Sequence, residues 1–296
     1  MKLKDIAMAS LVPVCWGSAF TMAKPATAHF PAMFSMGVGY LVCFLLISLI
    51  WRAPRKTAHH HVALIAFFAV TLQGYLCFTA YRDLTAGVAN IVVQVQVPFG
   101  VLMGWLLLGE RLDGRKIIGM LIAFIGIAVV VGLPQEPPPL LPVLLMASGA
   151  MAWALGQVFS RLYGKDEGII LLRSIAMHAL PQLALLSILL ESGHWQSIAT
   201  ATSFEWFAFG IFAFFGFFCA YALWYTVLAR NRIDEAIPFT MLMPVVGVVV
   251  ALLVLRETVS VASLVGGAIC MSGVAIVSGL DQQLARVFSR RRAAGA

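Results

Sequence analysis

Residues 98–111 read PFGVLMGWLLLGER, and residues 244–258 read PVVGVVVALLVLRET. Each run opens on a proline, continues through apolar residues and ends at a glutamate beside an arginine: Glu110 with Arg111, Glu257 with Arg256. Working outward, Gly119, Gly126 and Gly132 follow the first glutamate, and 147 positions later stand Gly266, Gly273 and Gly279. Tyr81 and Leu84 recur 144 positions on as Tyr225 and Leu228, and Trp16 recurs 137 positions on as Trp153. The chain reads as two copies of one unit, with the drift in offset that loop insertions between repeats produce.

Composition says what the unit is made of. Of 296 residues, 61% are hydrophobic and only 11% charged, with a mean hydropathy of +0.94. A soluble domain carries about 25% charged residues, and a folded surface needs polar cover that this chain lacks. A soluble enzyme, a secreted disulfide scaffold and a disordered chain are excluded. Cys15, Cys43, Cys77, Cys219 and Cys270 all lie in apolar runs without CxxC or Cys/His spacing, so they read as small buried residues rather than metal or redox groups. The net charge of +7 reads as cationic loops on one membrane face, not as a nucleic-acid site.

A bilayer core of about 30 Å needs roughly 20 apolar residues per helix. Ten stretches of 17 or more residues are free of Asp, Glu, Lys and Arg: 6–23, 25–51, 62–81, 84–109, 117–135, 137–160, 174–190, 206–229, 236–255 and 258–280. Unbroken runs of this length are helices, because barrel strands alternate over about ten residues. The expected fold is an all-α integral membrane protein of ten transmembrane helices: a first repeat over 5–134, a second over 137–280, and a basic tail over 281–296. Five helices per repeat is odd, so the second copy enters the membrane inverted. With the N-terminus inside, 17 of the 20 Lys and Arg fall on the inner side and three, Lys24, Arg82 and Arg256, on the outer, as the positive-inside rule requires. Both termini are then cytoplasmic. Ala26-Thr27-Ala28 resembles a signal-peptidase site, but cleavage there would leave nine spans and break the repeat, so the first span is read as retained.

Inverted repeats are the architecture of secondary transporters, with the substrate site near the midplane. All 13 acidic residues lie at span ends or in loops. A carrier with no mid-membrane carboxylate is expected to run without obligatory proton exchange. The deep polar side chains are neutral: Gln73, Thr79, Asn90, Gln94, Gln96, Gln157, Gln182 and His178. Asn90, Gln94 and Pro98 recur every four residues and share one helix face, so Asn90 and Gln94, with Thr79 and Gln157, are expected to line a cavity. Pro98 and Pro244 are expected hinges, and Arg82-Asp83 an outer gate pair. Trp16, Phe20, Tyr75, Phe78 and Tyr81 from the first half, with Trp153, Tyr221, Trp224 and Tyr225 from the second, are the expected lining that stacks on flat substrates and holds an ammonium by cation–π attraction. Gly119, Ala123 and Gly126, and likewise Gly266, Cys270 and Gly273, make small-residue stripes that let helices approach closely. His59-His60-His61 reads as a wet loop. No metal or cofactor is expected.

Trp16-Gly17-Ser18, the broken span at Val97-Pro98-Phe99 and the turn Gly109-Glu110-Arg111 together resemble the EamA family of the drug/metabolite transporter superfamily, and within it the YddG-type aromatic amino acid exporters of Gram-negative bacteria. The second turn, Arg256-Glu257-Thr258, departs from the pattern by carrying arginine where the glycine would be. The resemblance covers residues 5 to 280 and implies export of amino acids or related metabolites across the inner (plasma) membrane. The expectation is an alternating-access exporter of neutral amino acids, aromatic ones among them, whose partners are a small-molecule substrate and the bilayer and for which a monomer suffices. The rival readings are a multidrug or organic-cation exporter of the same superfamily, an intramembrane enzyme, for which no catalytic constellation is visible, and a channel.

Overall fold

The computed structural model describes residues 2–133, 137–228, 230–231, 236 and 239–279. The basic tail expected at 281–296 lies outside the described residues. Among the described residues, nine helices are long and apolar enough to cross a membrane: α1 (Leu3–His29), α2 (Ala32–Ile50), α3 (His59–Tyr81), α4 (Ala86–Leu108), α5 (Gly114–Gly132), α6 (Leu140–Tyr163), α7 (Gly168–Leu190), α8 (Ser203–Val227) and α10 (Val261–Ser278). The remaining span is the shorter apolar helix α9 (Met243–Leu253). The described residues contain no strand. Helix starts follow from local chemistry. Thr85, Asp113 and Ser260 accept from the backbone N–H groups of Val88, Lys116 and Ser263, and Thr202 with Glu205 forms a capping box, each satisfying donors a helix leaves open. The bundle is apolar on its outside: Leu41, Leu45 and Leu49 make one exposed stripe on α2, and Ile118, Leu121 and Ile125 another on α5. In water such a surface would drive association; in lipid it is the solvent-facing side.

The helices pair according to the repeat. α1 packs along α8 and α9, and α6 packs along α3 and α4; moving each partner by five helices turns one set into the other. α2 pairs with α7, and α5 with α10. The α5–α10 crossing fixes the sense of the symmetry. A Cβ built on Gly119 would meet the Gly273 carbonyl at 2.9 Å, and one built on Gly266 would meet the Gly126 carbonyl at 2.7 Å. The 147-residue offset maps the pair Gly119–Gly273 onto Gly266–Gly126, so the two helices run antiparallel about a pseudo-twofold axis. Small residues permit this approach because lipid supplies no hydrophobic drive and packing must be close.

The repeat also reproduces its irregularities. α3 contains a π-helical segment at Phe67–Leu72 and α8 one at Ile211–Cys219, beginning 144 residues apart. α4 tightens to a 3-10 turn at Val93–Val95, ahead of Pro98, and α9 starts after a turn at Met241–Leu242, with Pro244 in its first turn. The break falls before each proline because the ring offers no N–H to the preceding turn and crowds it. That is why α9 is shorter than the span read over 236–255. Gly109 (φ +66°) and Arg256 (φ +53°) are equivalent left-handed turn positions 147 residues apart, so the arginine occupies a conformation suited to glycine.

Candidate transport site

Trp16 stands halfway along α1, half-buried, on the face that packs against α8 and α9. Its ring meets Tyr221 edge-on at 5.1 Å and Trp224 at 6.0 Å, and Tyr221 stacks on Tyr225 at 6.2 Å. One turn further on, Phe20 turns to its own repeat and meets Tyr81 at 5.3 Å, while the Tyr81 hydroxyl donates to the Phe20 carbonyl at 2.9 Å. Phe78 stacks on Tyr81 at 5.8 Å and touches Phe212 of the π segment at 5.4 Å. Seven of the nine aromatic residues read from the sequence are thus brought into two adjoining clusters on α1. The other two are not: Tyr75 is 40% exposed, and Trp153 is half-buried and joins no ring pair among the described residues. The pseudo-symmetry explains the asymmetry around the tryptophans. The counterparts of Tyr221 and Trp224 at the 144-residue offset are Cys77 and Ala80, so at those two positions α3 has no ring to offer Trp153.

The polar residues divide similarly. Asn90 is fully buried; its Nδ2 donates to Thr21 Oγ1 at 3.1 Å and to the Ala86 carbonyl at 2.8 Å, and Thr21 Oγ1 donates to the Gly247 carbonyl at 3.0 Å. This chain ties α4, α1 and α9 together. Asn90 Oδ1 has no partner and occupies the space a side chain at residue 247 would need, 2.3 Å from its Cβ. Gln94, 6% exposed, donates to the Asn90 carbonyl. In this conformation both residues are sealed between helices rather than facing open space. Thr79 donates to the Tyr75 carbonyl of its own helix, and Gln157 is exposed without a hydrogen bond among the described residues.

Four ion pairs join the two repeats among the described residues, and two of them, one at each end of the bundle, are equivalent under the repeat. Lys24 Nζ lies 2.9 Å from Glu257 Oε1, and Glu257 also accepts from the Gly87 N–H. At the other end Arg161 Nη1 pairs with Glu110 Oε1. Arg82 and Asp83, expected to pair with each other, are both exposed and form no ion pair among the described residues; neighbours in sequence at a helix end point apart. The sequence reading passed over Lys24 and Arg161. Their signal was available, because they stand 137 residues apart, the offset that relates Trp16 to Trp153. It also passed over Thr21, Gly247 and Phe212, whose types carry no mark of the roles their neighbours give them.

The arrangement is two antiparallel five-helix units meeting at an aromatic cluster halfway along α1, with the equivalent pairs Lys24–Glu257 and Arg161–Glu110 at the two ends. A solved crystal structure shares this fold, with a TM-score of 0.65 at 18% identity over 92% of this chain and 98% of the other. The "Probable amino-acid metabolite efflux pump" of Salmonella typhimurium is 28% identical over 289 residues, 93% of this chain and 95% of the relative. The protein of the same description from Escherichia coli is 26% identical over the same shares, and the "Uncharacterized transporter YvbV" of Bacillus subtilis is 25% identical over 94% of this chain and 92% of the relative. The model of the EamA-like transporter family matches twice, at residues 3–132 and 140–279, once on each structural unit. With both halves matched and the duplicated helical bundle in place, the chain belongs to the EamA-like transporter family.

Proposed function

We propose that this chain is an alternating-access exporter of neutral amino acids, with aromatic ones favoured, that runs down the substrate gradient without obligatory proton exchange. The observation that carries the reading is the packing of Trp16 on Tyr221 and Trp224, where helices of the two repeats meet at mid-membrane. Aromatic faces there bind flat side chains and attract an ammonium, by about 0.5–2 kcal/mol per ring. Such a site discriminates side chains weakly, so broad specificity is expected. The two relatives named as amino-acid metabolite efflux pumps support the substrate class. The 3-10 turn ahead of Pro98 and the turn at Met241–Leu242 ahead of Pro244 support these prolines as the hinges, since a break in the helical hydrogen-bond ladder marks a bending point. The lysine and arginine distribution supports cytoplasmic termini in a plasma-membrane protein.

The test is counterflow in proteoliposomes against a panel of amino acids and flat organic cations, with and without a pH gradient. Accumulation of labelled phenylalanine or tryptophan against excess unlabelled substrate, unaffected by the pH gradient, is the expected result. Carriage of organic cations alone, a strict need for the gradient, or channel-like conductance without counterflow would overturn the reading.

A further inference from the structure

At the end of the bundle where α1 begins, a cavity of about 330 Å³ is lined by Lys2, Lys4, Asp5, Arg230 and Asn231. Four of these side chains suit a wet surface: Lys2, Lys4 and Arg230 are exposed and Asn231 half-buried. Asp5 is different. It is 3% exposed, and its Oδ1 accepts no hydrogen bond among the described residues. Its ion pair with Arg230 Nη1 spans 3.7 Å, close enough for Coulomb attraction and too long for a hydrogen bond. A buried carboxylate oxygen without a donor is costly, more so than a neutral group left unpaired. Among the described residues, the cavity thus presents a carboxylate oxygen without a hydrogen-bond donor together with three cations, Lys2, Lys4 and Arg230, which share Asp5 as the single anion of the lining.

One kind of molecule meets both needs: a single solute that carries an ammonium and an oxyanion a few bonds apart. The ammonium reaches Asp5 Oδ1, and the oxyanion faces Lys2, Lys4 and Arg230. A simple organic cation meets three like charges there, and a simple anion leaves Asp5 Oδ1 without a donor. Asp5 also lies on the route inward. It stands eleven residues before Trp16, three turns or about 16 Å along α1 and on the same face. Between them Ala9 packs with Val227 and Ala236, all three fully buried, against Met8, Trp224 and Phe239. The apolar plug separates the charged vestibule from the aromatic cluster, and Trp224 belongs to both the plug and the cluster.

We propose that this vestibule is a docking site for zwitterionic α-amino acids, read through Asp5 and Arg230, at which substrate is held before the plug opens. The inference rests on the proposed export of amino acids and adds to it a second site, distinct from the aromatic one. An ethanolamine phospholipid headgroup carries the same paired charges, so the test is run in liposomes free of such lipid and repeated with it.

In counterflow, Asp5→Asn is expected to raise KM for a carried amino acid about tenfold, with kcat within twofold of wild type. The deaminated acid is expected to be carried poorly by wild type and no worse by Asp5→Asn. Arg230→Gln is expected to raise KM for the amino acid and leave that of its methyl ester unchanged. A fall in kcat at constant KM would make Asp5 a helix anchor instead, and an effect confined to ethanolamine-containing liposomes would assign the vestibule to lipid; either overturns the proposal. A second measurement needs neither turnover nor an acidic variant. In Asn231→Cys, a membrane-impermeant maleimide should be blocked by the amino acid and not by its deaminated form, and equal labelling with both would refute docking. Absence of amino acid transport by wild type would refute the export reading, whereas protection at residue 231 reports on the vestibule alone.

Discussion

Lys24 of α1 reaches 2.9 Å to Glu257, in the turn that precedes α10. The same relation recurs at the opposite end of the bundle, where Arg161 of α6 meets Glu110 in the turn that precedes α5. The two pairs are equivalent under the repeat, and they differ in surroundings: the Lys24–Glu257 side chains are 30% and 13% exposed, those of Arg161–Glu110 67% and 33%. Each glutamate ties the first helix of the other repeat, so equivalent contacts join the two repeats at the two ends of the bundle.

The more buried pair should govern its end. Removing one partner of a largely buried pair leaves an uncompensated charge, whereas an exposed pair contributes about 0–1 kcal/mol. Lys24→Met and Glu257→Gln are each expected to cut counterflow about tenfold. The exchanged double variant Lys24→Glu/Glu257→Lys is expected to recover most of it. Arg161→Met should change the rate by less than threefold. Initial rates in proteoliposomes check all four, and failure of the exchange to rescue would argue against a direct tie.

Trp16 is expected to act through its ring face. Trp16→Ala should lower transport of aromatic amino acids tenfold or more, while Trp16→Phe retains at least a third. Tyr221→Phe keeps the edge-on contact and should be within twofold of wild type. Uptake across a panel of amino acids reads this directly; unchanged transport of every amino acid by Trp16→Ala would remove the ring from the site.

The α5–α10 crossing predicts a stability effect. A Cβ on Gly126 would come within 2.3 Å of the Cys270 backbone nitrogen, a neighbour that cannot rotate away. Gly126→Val is expected to cost about 2 kcal/mol or more, in the range of overpacking, and to lower Tm in detergent by several degrees. Gly37→Ala on α2 has nothing within 4 Å of its new Cβ and should be neutral or slightly stabilising.

Arg256, at φ +53°, holds a left-handed conformation that costs a side-chain-bearing residue about 1–2 kcal/mol. Glycine relieves the strain but gives back part of the gain as unfolded-state entropy. Arg256→Gly is expected to raise Tm by roughly 1–3 °C, and Gly109→Ala at the equivalent turn to lower it, both read by thermal unfolding in one detergent.

Asp166, in the loop between α6 and α7, clasps the loop between α2 and α3 by accepting from the N–H groups of Lys56 (2.6 Å) and Thr57 (3.0 Å). Burial alone would raise its carboxyl, but the bonds from Thr57 and Lys56 and the nearby Arg55 charge hold it below the ordinary aspartate value. A depressed carboxyl stabilises the fold above the unfolded-state value near 4 and loses that contribution as pH falls through its own lower value. The Tm difference between wild type and Asp166→Asn should therefore be constant well above the ordinary aspartate value and shrink steadily as pH falls below it. A difference that persists in acid would show that the clasp does not depend on charge.

The amino-acid sequence by itself determined the membrane class, the ten spans and the duplication, because these are one-dimensional properties. Run lengths follow from bilayer thickness, and the offsets linking Glu110 to Glu257 and Gly119 to Gly266 need only counting. It also exposed Arg256 as a misfit, for which the left-handed turn is the physical reason. The tertiary structure decided which of the marked residues meet. Trp16 and Trp153 occupy equivalent places in the sequence, yet only Trp16 finds aromatic partners, because Tyr221 and Trp224 have Cys77 and Ala80 as counterparts. Asn90 carries the same amide whether it lines a cavity or bridges helices; burial against Thr21 and Gly247 sets which, and that burial depends on helices more than a hundred residues away. The Lys24–Glu257 tie, 233 residues apart, exists only once an inverted copy brings one repeat's turn to the other's first helix. Polar and aromatic side chains take their role from the partner across the interface, and no local pattern contains that partner.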